Sequence, residues 1–201
     1  MRAENCLTLF AQVLFDYHQI DQVDTPLPNP YSIDSIDSLL YHKCWVDTVQ
    51  WHLEDLVRDP SIEPEKGLKL KRRIDASNQL RTDLVEKIDD YILGQLHGVT
   101  IQTNATLNTE SPAWAIDRLS ILALKIYHMK EEAERKTAGE AHQLRCAQKL
   151  SVLLEQEKDL SLSIDQLLED LSAGKKIMKV YRQMKMYNDI SLNPVLYQQK
   201  Q

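Results

Sequence analysis

Asp47, Trp51 and Glu54 recur at steps of three and four residues, Asp75, Asn78 and Arg81 do the same, and Asp117, Arg118 and Lys125 interrupt an otherwise apolar run. Ionisable groups at helical spacing among apolar neighbours must pair or face a cavity, because an unpaired buried charge is strongly destabilising. If the three segments pack together, acids meet bases. Arg81, Arg118 and Lys125 could then hold a phosphate or carboxylate, with Trp51 as an apolar wall. The competing expectation is a structural ion-pair network that fixes helix register.

A second constellation is carboxylate-only. Asp83, Glu86, Asp89 and Asp90 follow one another at short steps, and Glu54 lies on a neighbouring segment. Glu54, Glu86 and Asp89 could hold Mg²⁺ and activate water against a phosphoryl group, as all-α nucleotide pyrophosphatases do. The plainer reading of such a run is the solvated side of a helix. No other cofactor is expected.

Several chemistries are disfavoured outright. The six histidines never form H-x-x-x-H, H-E-x-x-H or E-x-x-H, so histidine metal chemistry is not expected. No phosphate-binding glycine loop and no G-x-S-x-G elbow occurs. Cys6, Cys44 and Cys146 are odd in number and lack a C-x-x-C pair, which fits a reducing cytoplasm better than a disulfide scaffold. Cys44 lies near Asp47 without an evident base and reads as a small core residue. The net charge of −6 argues against a nucleic-acid binder. No apolar run approaches the roughly 20 residues of a membrane span.

The elements that must position these residues are helical. The chain of 201 residues is 43% apolar and 27% charged, with only five Gly and two Phe, and it lacks the β-branched runs that strands need. We expect an all-α, single-domain bundle (residues 1–201) of about six helices, some long and antiparallel. The first runs from Glu4 to Ile20. Pro26, Pro28 and Pro30 then stiffen a connector over 24–34. The second helix follows a cap at Asp34 or Ser35 and ends near Arg58, and the third spans Glu63 or Pro64 to Leu96. A polar loop over 98–111 holds at most a short extended segment. The fourth helix opens on Ser111-Pro112, runs apolar nearly all round, and is expected at the centre of the bundle. Gly139 separates it from a fifth, Glu140 to Leu171. A sixth, Lys175 to Tyr187, is expected to carry a basic side facing solvent or the acids Asp165, Glu169 and Asp170. The apolar, proline-interrupted tail over 188–201 is expected to dock.

Three stretches, Cys44–Asp55, Lys71–Glu86 and Ser111–His128, resemble a bacterial family known only as a domain of unknown function. The resemblance extends over nearly the whole chain and implies a stand-alone helical protein. It implies no activity and no assigned residues. On chemistry alone, the sequence favours a cytoplasmic binding or interaction module over an enzyme. Its partner would be a small anionic molecule or another protein, with no membrane or nucleic acid. Pairing of subunits through the apolar stripes of the fourth and fifth helices is a third reading.

Overall fold

The computed structural model describes residues 1–186 and 189–198. Five long helices carry the fold: α1 (Ala3–His18), α2 (Ile36–Val57), α3 (Pro64–Gln95), α4 (Pro112–Glu134) and α5 (Glu140–Ser172). α2 pairs with α3 and α4 with α5, as successive helices joined by short connections must, and α1 lies against α2, α4 and α5. α4 packs against all four of the others, as its all-round apolarity requires. The core joins Phe10, Val13 and Tyr17 to Tyr41, Trp45, Val85, Ile88, Ile116, Leu119 and Ile164. No helix among the described residues is long and apolar enough to cross a membrane.

The helix ends follow local chemistry. Ser35 caps α2, its hydroxyl accepting from Ser38 N. Ser111 precedes Pro112 at the start of α4 but makes no cap bond to that helix. Instead the buried Asp89 of α3 reaches across: Oδ1 accepts from Ala113 N at 3.0 Å and Oδ2 from Ser111 Oγ at 2.5 Å. The fourth helix stops five residues short of Gly139, and a 3-10 turn over Lys136–Ala138 fills the gap. The polar loop contributes β1 (Thr106–Leu107).

The predicted sixth helix is not formed. Its last residue, Tyr187, and Asn188 after it lie outside the described residues. After α5, Gly174 takes a φ of +68° that ends the helix, and a Cβ there would come within 2.1 Å of the Thr100 carbonyl oxygen. β2 (Lys176–Ile177) then pairs in parallel with β1. The chain continues extended to residue 186 and runs antiparallel along α3. Arg182 Nη2 meets both Asp90 oxygens at 2.7 Å, Gln183 N donates to Glu86 Oε1 at 2.9 Å, and Lys185 Nζ donates to Thr82 Oγ1 at 2.7 Å. The basic residues therefore meet the acids of α3. Of the described basic residues in this segment, only Lys175 pairs with the acids upstream of it, through Asp170 at 3.5 Å, whereas Asp165 accepts from Ala3 N.

The described part of the tail departs from the expected docking as well. It forms α6 (Pro194–Tyr197), one turn capped by Asn193, and Ile190, Leu192, Val195 and Tyr197 are exposed. Residues 199–201 lie outside the described residues.

Candidate functional site

α2, α3 and α4 meet around three buried charges, Lys43, Asp47 and Asp117, and a partly buried fourth, Arg81. Lys43 and Asp47 stand one turn apart on α2, and their side chains are 0% and 2% exposed. Lys43 Nζ is 2.5 Å from Asp47 Oδ2 and 2.8 Å from Asp117 Oδ1. Arg81 of α3 closes the group with a two-pronged bond, Nε to Asp117 Oδ1 at 2.8 Å and Nη2 to Asp117 Oδ2 at 2.5 Å. Ser120 Oγ donates to Asp47 Oδ2 at 2.6 Å. Two cations and two anions leave the group formally neutral, which is what makes complete burial of Lys43 tolerable.

The two carboxylates are not equivalent. Burial raises the Asp117 carboxyl, but Lys43 and Arg81 together outweigh it and hold the group below the ordinary carboxylate range. At Asp47 burial wins over Lys43, and the neighbouring Asp117 adds to it, so that carboxyl lies above the ordinary range. Geometry gives the reason. Asp117 accepts from both cations through both oxygens, whereas Asp47 Oδ1 is buried without a hydrogen bond, 3.5 Å from Arg81 Nε.

Outside this group is a pocket of about 450 Å³. Asp47, Trp51, Glu54 and Arg81 line it, together with Gln50, Asp55, Arg58, Ile121 and Leu124. Four of the nine residues singled out from the sequence therefore share one wall. Arg81 bonds through Nε and Nη2 only, so among the described residues Nη1 has no protein partner. Glu54 and Arg58 pair at 3.0 Å, and Gln50 Nε2 donates to Asn78 Oδ1 at 2.9 Å, placing Asn78 behind the wall.

The other candidates lie elsewhere. Asp75 pairs with Lys71 on the outer side of α3. Arg118 and Lys125 are exposed and line a separate groove between α4 and α5, where Arg118 bonds Glu110 at 2.7 Å. They miss the α2–α3–α4 pocket because α4 is flanked on both sides: Asp117 and Ser120 face α2 and α3, while residues 118 and 125 turn toward α5.

The carboxylate set does not gather. Glu54 faces Arg58 in the pocket, Glu86 binds the extended segment through Arg182 and Gln183, and both oxygens of Asp89 serve the start of α4. Three histidines do gather, namely His18, His52 and His128. Sequence spacing missed them because each comes from a different helix. It also missed Lys43, although its position four residues before Asp47 on an apolar stripe was the available signal. Cys44 offers no nucleophile, since burial pushes its thiol up to about 12.

A family model described as a protein of unknown function (DUF4254) matches residues 37–180. No curated protein matches the chain. No solved structure matches it either.

Proposed function

The chain belongs to the DUF4254 family, whose description assigns no activity, and from that premise we propose that it is a binding module for a small anionic molecule seated between α2, α3 and α4. One observation carries this reading. The Arg81 guanidinium is locked along one edge by Asp117, while its remaining donors border a pocket of about 450 Å³ walled by Trp51. That volume falls within the range of small-molecule sites, and a guanidinium fixed in advance loses little freedom on meeting a carboxylate or phosphate. Glu54 and Asp55 on the same wall favour a ligand that also carries hydroxyl or amino donors. Three buried, unpaired thiols support a reducing, cytoplasmic setting.

A thermal-shift screen over sugar phosphates, nucleotides and organic acids tests the proposal. A specific ligand at a hundredfold its Kd adds about 2.7 kcal/mol of stability, a clear rise in Tm. The same compound should bind Arg81→Lys at least about tenfold more weakly, because an ammonium keeps the charge but not the fork. Arg118→Ala, on the opposite side of α4, should bind as the wild type does. A library that shifts no protein, or shifts wild type and Arg81→Lys alike, removes the proposal.

The exposed Leu144, Val152 and Leu162 along α5 favour a second reading, association of two copies through that helix. A monomeric mass by light scattering at high concentration would remove it.

A further inference from the structure

The three histidines form a cluster separate from the buried ion pairs. His18 ends α1, His52 lies on α2 and His128 on α4. One ring nitrogen from each lies within 4.8 Å of the others. His18 Nε2 lies 3.4 Å from His52 Nε2. In a tetrahedral zinc site with Zn–N bonds of about 2.0–2.1 Å, ligand nitrogens are separated by about 3.3–3.4 Å. Two of the rings already stand at that separation, and the third has to approach by no more than about 1.5 Å.

The hydrogen bonds around the rings orient them for metal ligation. His18 Nδ1 is 2.7 Å from the Leu14 carbonyl, which can only accept, so Nδ1 carries the proton and Nε2 of the neutral ring presents a lone pair. His128 Nδ1 is 2.9 Å from Glu131 Oε2, the carboxylate–histidine arrangement that holds metal-binding imidazoles in one tautomer. His128 Nε2 is then left buried with no partner among the described residues.

Packing alone does not account for this arrangement. Tyr17 stacks on His52, Tyr127 on His18 and Trp51 on His128, with centroid distances of 5.1, 4.3 and 5.1 Å. These contacts fix the ring planes and leave His128 Nε2 without a partner among the described residues. Asp21 is the one non-glycine residue with positive φ, +54°, among the described residues, and its Oδ1 is 3.7 Å from His52 Nε2. Of the three histidines it is paired with His52 alone, and it lies outside the group of atoms that converge.

We infer that His18, His52 and His128 form a site for a divalent transition metal of the zinc class, bound through one ring nitrogen of each imidazole with the fourth position left open. The borderline character of imidazole selects Zn²⁺ over Mg²⁺ or Ca²⁺. The inference stands apart from the anion pocket, since it uses none of the groups that pair around Asp117.

Titration of chelator-stripped protein with Zn²⁺ against a chromophoric competitor at pH 7 tests it. The expected result is one equivalent bound, weakened more than about 100-fold in His52→Gln and in His128→Gln and about tenfold in Glu131→Gln. His42→Gln and Arg81→Lys should bind like wild type, so loss of the anion pocket and loss of the metal site are told apart. His142→Gln should also be silent, although His142 lies 2.8 Å from Glu132 and 3.3 Å from Cys146. Should the histidine variants fail to fold, the wild type still decides: Zn²⁺ must shift the imidazole NMR signals of residues 18, 52 and 128 and leave those of 42, 97 and 142. Absence of stoichiometric binding, binding that survives in His128→Gln, or binding that follows His142 overturns the inference.

Discussion

Asp117 answers two cations with two oxygens, so its loss leaves more than one hydrogen bond unmade. Asp117→Asn would strand Lys43 and Arg81 on Asp47 alone, and breaking a buried pair of this kind costs about 3–5 kcal/mol. Urea denaturation should show that fall in midpoint with an unchanged slope. The pH dependence has a definite sign. Asp117 is held below the ordinary carboxylate value of about 3.9, so its contribution is complete above that value and is lost as pH falls through the depressed one. The gap between wild type and Asp117→Asn should therefore narrow below about pH 4. Lys43→Met should be as damaging as Asp117→Asn, and adding Asp47→Leu should recover part of the loss, because removing both members of a buried pair is far cheaper than removing one. At this scale the sequence was half legible. Asp47, Arg81 and Asp117 stood out as charges on apolar stripes, but Lys43 did not, because lysine ordinarily reaches water and only two carboxylates from different helices keep this one inside.

Between elements, the decisive joints are a borrowed cap and a glycine. Asp89 supplies from α3 the acceptor that α4 lacks at its own start, so Asp89→Ala should lower stability by about 1–2 kcal/mol, with Asp89→Asn costing less because its amide oxygen can still accept from Ala113 N. Gly174→Ala should also destabilise, by about 1–2 kcal/mol or more, since it combines an unfavourable φ with a collision against Thr100. Chemical denaturation reads both. The five long helices were legible because capping residues, prolines and apolar periodicity agreed. The segment after Gly174 was not. Its basic residues at steps of three and four, Lys175, Lys179, Arg182 and Lys185, fit a helix locally, yet partners far away in sequence, Glu86, Asp90 and Thr82, hold it extended. Pattern reading has no access to such long-range bonds.

At the scale of the molecule, the choice of α4 as the central helix followed from its composition, and its contacts with every other long helix agree. Composition could not assign its two polar sides, which is why Arg118 and Lys125 were grouped with Asp117 although they border another groove. Nor could it bring His18 to His52 and His128, since that meeting needs three helices folded together. Trp51 is where these threads cross: it lines the pocket between α2, α3 and α4 and lies against His128. Indole emission responds to the charge and mobility of whatever touches the ring. The protein thus carries its own optical gauge, and a dye-free titration should brighten or dim with either an anion or a metal and fall silent in Trp51→Phe, while Trp45 and Trp114 supply a constant background.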